Sequence, residues 1–437
     1  MSLQMLHEMN GRVCSCGKTH SFSARVIAGD GALSQLPQIL KQYNAQSPFI
    51  LCDPNTYRAA GQQVCALLDA EGLSPYCHVF REEAPEPDEY SVGNAVMHMK
   101  ADRDIIIGVG SGVINDIGKI LSSLSGKPYI IVATAPSMDG YASATSSMTR
   151  DGLKISLPSR GADVILGDSD ILCQAPMKLL RSGLGDMLAK YISICEWRIA
   201  HLLLGEYYCE EIADLVRSAV AQCVSHAEGL LRRDKDAVMA VFEGLIIGGV
   251  AMNYAGLSRP ASGVEHYLSH VWDMRALEFG TPEDLHGIQC AVGTLISAKI
   301  YEKLKAITPD REKALSYVQS FDFAAWSAQL RAFLGKSAEA MIALEEKEQK
   351  YNKEAHRARL EVILQNWDAI LQIIDEELPS SAAISALLDA IDAPKSMADI
   401  GLDENTLPMT FFAAKDIRDK YVLPRLAWDL GVLEELI

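Results

Sequence analysis

The chain has 437 residues, too many for one ordinary domain and comfortable for two. Hydrophobic residues make up 49% and charged residues 22%, the composition of a globular protein with a large buried core. The formal charge of −17 argues against a nucleic-acid partner, because a phosphate-backbone binder needs a basic face. A small anionic substrate would need basic residues gathered locally.

Residues 1–12, "MSLQMLHEMNGR", lack the charged start and apolar run of a secretory signal. "CSCGKTH" follows, with Cys14, Cys16 and His20. These three are either part of a zinc knuckle or a turn before the first strand. The CxC spacing is not the usual C-x2-4-C, and no fourth ligand is evident nearby in the sequence. The stretch also echoes a phosphate-binding loop, but that motif needs a glycine where Arg12 stands.

"SARVIAG" is the first strand, and from there β-branched runs alternate with helical patterns. "PFILCD" (48–53) is apolar and ends at an acid, and "TYRAAGQQVCALLDAEG" (56–72) has helical spacing. "RDIIIGVGSG" (103–112) is a strand running into glycines. "INDIGKILSSLSG" (114–126) places Ile114, Ile117, Leu121 and Leu124 on one helical face, and "PYIIVATAPS" (128–137) is another buried strand. This alternation predicts a parallel sheet with helices on both faces. After about residue 176 the spacing is helical with almost no strand signal. "GLIIGGVAMNYAGL" (244–257) is too short for the roughly 20 residues of a membrane span and reads as a buried helix. The stretch from about 336 to 376 is long, charged and helical, its charges marking a solvated helix face. The expected organisation is an α/β, Rossmann-like domain over 1–176 and an all-helical domain over 177–437. Ten scattered cysteines, most inside apolar patterns, point to reduced thiols in a cytoplasmic protein.

The stretch from Ile105 to Lys119 does not match the GxGxxG fingerprint, since Val113 and Asn115 stand where glycines would fall. A buried strand still ends in small residues as a helix begins, so backbone N–H groups there either face a pyrophosphate or simply make a tight turn. Asp53, ending an earlier strand, either holds an adenosine ribose or caps the next helix.

His266 and His270 lie four residues apart, one helical turn. They are not a zinc-protease pair, because Tyr267 follows the first histidine and Glu265 precedes it. Taken alone, such a pair reads as structural. Two further stretches favour a metal: "DLHGIQCAVGT" sets His286 at the start of an apolar helix, and "SGLGDMLAKY" sets Asp186 and Lys190 at a helix start, where a carboxylate in apolar surroundings needs a partner.

Together the segments "GVGSGVINDIGK", "TAPSMDGYAS", "GLGDMLAKYISICEW", "SRPASGVEHYLSH" and "LHG" resemble, in order and over nearly the whole chain, the iron-containing alcohol dehydrogenase superfamily. The pairing of TAPSxDGxxS with RPASGxEHxxSH resembles its glycerol-1-phosphate dehydrogenases in particular. The resemblance implies a dehydroquinate synthase-like architecture and a hydride transfer between NAD or NADP and dihydroxyacetone phosphate. It implies one divalent metal (zinc, nickel or iron) on Asp186, His266 and His286, three ligands with an open position as in catalytic sites. His270 would contact substrate or relay a proton, and Asp139 and Asp186 would face the substrate. Gly110, Ser111, Gly112, Val113 and Ile114, with Thr134, Ala135, Pro136 and Ser137, would line the cofactor, Ser143 its nicotinamide end and Asp53 its ribose. It further implies a homo-oligomer, dimer or larger, with no membrane span. Two positions depart from the pattern: Ile288, where many members of the superfamily carry a glutamate, and Met138, where a histidine is common. Lys154, Arg160, Lys190 and Arg259 are the candidate partners of a substrate phosphate. Rival readings are a polyol dehydrogenase of the same superfamily, a lyase resembling dehydroquinate synthase, and a non-catalytic nucleotide sensor. The lyase family uses glutamate where Asp186 stands, and the filled ligand positions speak against the sensor.

Overall fold

The computed structural model describes Leu6 and residues 8–437; the other residues of the stretch read above for a signal lie outside the described residues. The chain packs as two units, one formed by Met1–Met187 with Asp214–Gly256, the other by Leu188–Ala213 with Leu257–Ile437.

The first unit is built on six parallel strands: β1 (Arg25–Gly29), β2 (Phe49–Cys52), β3 (Tyr76–Val79), β4 (Ile106–Gly110), β5 (Tyr129–Ala133) and, after a hairpin, β8 (Val164–Asp168). Their order across the sheet is β1-β8-β5-β4-β2-β3. β2, β4, β5 and β8 are buried along their whole length, as a sheet covered on both faces requires. One core gathers Ile50, Ile107, Ile130, Val132, Val164 and Leu166 from the strands with Leu36, Leu40, Val64 and Leu68 from the helices. The hairpin β6 (Thr145–Arg150) and β7 (Leu153–Pro158) is antiparallel, turning at Asp151 and Gly152, both with positive φ. Sequence reading did not find it, because β6 (TSSMTR) is almost wholly polar and β7 (LKISLP), although it alternates, is short and only half-buried.

A single boundary after residue 176 marks where the strands stop, but packing returns residues 214–256 to the first unit. The helix Lys235–Ala255 explains this. It is long and apolar enough to cross a membrane, yet most of its apolar stretch is buried inside the protein. Phe242 from this helix meets Tyr141 edge-on at 5.8 Å.

The second unit is helical throughout. Its core joins Val264, Tyr267, Leu268, Val271 and Trp272 to Ile288, Val292, Tyr301 and the C-terminal Leu423, Leu426 and Trp428. The charged stretch 336–376 is not one long helix but three: Ala338–Glu348, Lys353–Gln365 and Trp367–Glu377. Gln349 adopts a left-handed conformation that ends the first, and Asn352 restarts the chain by accepting the Ala355 N–H at 2.9 Å.

Candidate active site

In the first unit, successive strands run outward from two starting points, and the direction reverses between β2 and β4. A crevice at such a reversal, outside the carboxyl ends of the strands, is where open α/β sheets bind ligands. Asp53 follows β2 and the run Gly110–Ser111–Gly112 follows β4, so both lie at this point. Ser111 precedes the helix Gly112–Ser125, which opens with no side-chain cap and leaves its first backbone N–H groups to a ligand or solvent. The loop after β5 is tied to this turn. Thr134 N–H donates to Gly110 O (3.1 Å), the Ser111 and Ser137 hydroxyls bond each other, and the Tyr141 hydroxyl donates to Ala135 O (2.6 Å). Val113 and Ile114 continue into the helix, Ile114 buried in it. Ala135 and Pro136 complete the second loop.

Asp53 forms a capping box: its carboxylate accepts Thr56 N–H (2.8 Å), and Thr56 Oγ1 accepts Asp53 N–H (3.0 Å). Burial pushes its pKa up, opposed by the bonds from Thr56. Ser143 Oγ pairs with Thr145 Oγ1 at 2.8 Å and accepts Thr145 N–H at 3.1 Å.

Asp186 lies near the end of the helix Met177–Leu188, not at a helix start, since the helix begins directly after Pro176. A carboxylate near a helix C-terminus is disfavoured by the helix dipole, and this one is fully buried. It accepts the Asp139 backbone N–H at 2.9 Å, which joins two of the expected site residues. The same helix is pressed onto the loop after β5. Ser182 Oγ donates to Ser137 O at 2.9 Å, and a Cβ at Gly183 would stand 1.9 Å from Pro136 O. Met138 supplies its sulfur as acceptor for Gly140 N–H at 2.9 Å, so it shapes the turn carrying Asp139.

In the second unit, the helices Val264–Phe279 and His286–Lys305 pack along each other and bring His266, His270 and His286 together. The His266 and His286 rings meet edge-on at 4.9 Å, and those of His270 and His286 lie 6.2 Å apart. His266 Nδ1 lies 2.7 Å from Glu265 Oε1, which also accepts Gly263 N–H at 2.7 Å. Bonding to a carboxylate favours the tautomer with the proton on Nδ1 and a lone pair on Nε2, as in metal-ligating histidines. The donor atoms of His266, His286 and Cys290 all lie within 4.8 Å of one another, a nitrogen- and sulfur-rich set suited to a borderline metal such as zinc. Burial, opposed by Asp273, pushes the His270 pKa below its ordinary value, so this imidazole is neutral near pH 7. Gln289 bonds both Ser269 Oγ (2.9 Å) and Asp273 Oδ1 (2.8 Å), locking the two helices in register. Ile288 is buried in the core.

Of the candidate phosphate partners, Arg259 is taken up by Glu206 through two bonds (2.9 and 2.7 Å) and by Tyr421 O (2.8 Å), and Arg160 by Asp163 (2.7 Å). Lys190 is buried, and Lys154 is exposed on β7. Sequence reasoning missed Glu265 as the partner of His266, because the protease comparison looks for a glutamate after the histidine. It also missed Lys420, whose Nζ donates to Ser262 O at 2.8 Å beside the Tyr267 ring.

A profile of the family described as iron-containing alcohol dehydrogenase matches residues 27–176. The glycerol-1-phosphate dehydrogenase [NAD(P)+] of Bacillus licheniformis is 33% identical over 296 residues, 67% of this chain and 74% of that protein. The chain belongs to the glycerol-1-phosphate dehydrogenase family. The corresponding protein of Halalkalibacterium halodurans is 29% identical over 415 residues, 94% of each chain, so the family likeness spans both units. Among solved structures, an alcohol dehydrogenase from Oenococcus oeni superposes with a TM-score of 0.61 over 96% of this chain and all of that one, at 17% identity. That likeness is one of fold, and it runs over nearly the whole of both chains.

Proposed function

We propose that this chain interconverts dihydroxyacetone phosphate and sn-glycerol 1-phosphate using NAD(P)H and a divalent metal, with Asp186, His266 and His286 as the ligands. The observation that supports this most directly is the His266 ring, set by Glu265 with its neighbour His286 edge-on, in a chain of this family. When bound, the metal polarises the ketone oxygen and the reduced nicotinamide is the hydride source. The protein's residues hold this arrangement. Glu265 keeps His266 in one tautomer, and Asp139 N–H anchors the Asp186 carboxylate. Ser111, Ser137 and Tyr141 join the two loops proposed to line the cofactor, with Asp53 at the ribose and Ser143 at the nicotinamide end. His270, neutral, carries a proton on one ring nitrogen and accepts at the other, so it passes a proton toward the new hydroxyl without holding charge. Asp139 is assigned to the substrate. On the family likeness the reading extends to a cytoplasmic enzyme acting as a dimer or larger homo-oligomer, and its free thiols suit that compartment.

The test is NADH and NADPH oxidation by chelator-stripped protein with zinc, nickel or ferrous iron restored. Dihydroxyacetone phosphate is the substrate, dihydroxyacetone the control, and His266→Ala is run alongside. Metal-dependent oxidation that needs the phosphate and is lost in the variant is expected. Preference for dihydroxyacetone would move the protein to the polyol dehydrogenases, and no oxidation under any condition would overturn the assignment.

A further inference from the structure

We propose that Cys14, Cys16 and His20 bind a second metal, a structural zinc ion, in the N-terminal turn of the first unit. The backbone is already folded as a knuckle. Val13 and Thr19 form an isolated antiparallel bridge, Cys14 N–H donates to Lys18 O (2.8 Å), and Gly17 N–H donates to Cys14 O (2.9 Å). Gly17 turns the chain with φ of +81°, a conformation that side chains disfavour. Gly11 N–H bonds His20 O (2.7 Å), and Asn10 exchanges two bonds with Phe22 (3.0 and 2.7 Å), closing the loop on itself.

This fold brings the three donor atoms within 4.8 Å of one another, with Cys14 and His20 buried. Cys16 Sγ lies 3.4 Å from His20 Nε2. Zinc bonds of ~2.3 Å to sulfur and ~2.0 Å to nitrogen in a tetrahedron put such a pair about 3.5 Å apart. A second observation concerns the other ring nitrogen. His20 Nδ1 lies 3.0 Å from Tyr254 O, an acceptor only, so Nδ1 carries the proton and Nε2 presents a bare lone pair toward the sulfur. Metal-binding histidines are commonly held by a backbone carbonyl in this way. Two thiolates and an imidazole favour zinc over harder cations, and the fourth corner falls to a donor outside this turn. The ion would act as a staple. His20 stacks on Tyr254 at 5.4 Å, Tyr254 OH donates to Leu6 O (3.3 Å), and the adjacent Asn253 donates to Ala142 O (2.6 Å), next to the turn that carries Asp139.

The experiment counts metal in the full-length protein and reads its ligands with cobalt. Zinc-loaded wild type, freed of loosely held ion, should contain about two equivalents per chain. Cobalt-substituted His266→Ala/His286→Ala protein should keep one equivalent with intense near-ultraviolet sulfur-to-metal charge transfer. Adding Cys16→Ser or His20→Gln should remove that equivalent, with loss of the band. One equivalent in wild type, a count that requires no mutant to fold, would overturn the proposal. So would a charge-transfer band unchanged by Cys16→Ser.

Discussion

Glu265 Oε1 lies 2.7 Å from Nδ1 of its sequence neighbour His266, and the same oxygen takes the Gly263 N–H that opens their helix. One carboxylate thus fixes both the helix entry and the ring. Replacing it with an amide weakens the orienting bond without changing shape. Glu265→Gln should lower metal affinity by roughly 10- to 100-fold, the usual effect of losing an orienting partner of a ligating histidine. Chelator-competition titration reads this directly, and an unchanged affinity would show that Glu265 serves only the helix entry.

Asp186 is a buried carboxylate that accepts the Asp139 backbone N–H at 2.9 Å. As a proposed ligand, it should cost more than its neighbours. Asp186→Asn is expected to lower metal affinity by at least about 100-fold, beyond the effect of an orienting partner. The circular dichroism should stay unchanged, because the amide oxygen still accepts the Asp139 N–H. Wild-type metal affinity in this variant would remove Asp186 from the ligand set.

Gly183 has no room for a side chain, its missing Cβ lying 1.9 Å from Pro136 O. Gly183→Ala must push apart the helix holding Asp186 and the loop after β5. A cost of roughly 3 kcal/mol is expected, at the upper end of overpacking effects, since the obstacle is backbone. Denaturant unfolding measures it, and NADH titration should show weakened binding from the displaced loop.

Lys415 and Asp416 form a buried pair in the second unit, the ammonium donating to Asp416 Oδ2 (2.8 Å) and Phe412 O (3.0 Å). Burial, opposed by Asp416, pushes the Lys415 pKa from 10.5 down to about 8. Between those values the unfolded chain holds a proton the folded chain lacks, so this group makes stability rise with pH from about 8 to 10.5. Its contribution is lost as pH falls through 8. In Lys415→Met that rise should be missing while Arg425 (3.1 Å) still pairs Asp416. Urea midpoints of both proteins at pH 7, 8, 9 and 10 check it; parallel curves would refute the assignment.

β1, β2, β4 and β5 were legible, β4 and β5 as continuous runs rich in β-branched residues, as in "IIIGVG" and "YIIVA", whereas the half-buried β3 (Tyr76–Val79) was not. The histidines were legible through helical spacing, which the pairing of their two helices preserves in space. Other features, beyond the hairpin, Glu265 and Lys420, were not. Asp53 carries no local sign that separates cap from ligand; the structure shows it capping the next helix, and its place at the ribose stays a proposal. The helix break at Gln349 uses a residue that rarely takes a left-handed conformation, so no glycine marks it. Arg259 read as an available cation because its partners Glu206 and Tyr421 are remote in sequence. The return of 214–256 to the first unit depends on which surface an all-round apolar helix covers, and periodicity is silent on that.

That return has a consequence for how the protein is made. The chain leaves the first unit at Met187, re-enters it at Asp214 and leaves for good after Gly256. On the ribosome the six-stranded sheet emerges complete by Asp168, but the apolar helix Lys235–Ala255 that belongs with it comes some seventy residues later. The nascent sheet must therefore wait with an uncovered greasy face while residues 188–213 of the other unit pass by. Such an interval exposes apolar surface that is prone to aggregate, which is what chaperones guard against. Neither unit exists as one continuous piece of the chain, so a fragment cut at the end of the strands would be born already missing part of its own core.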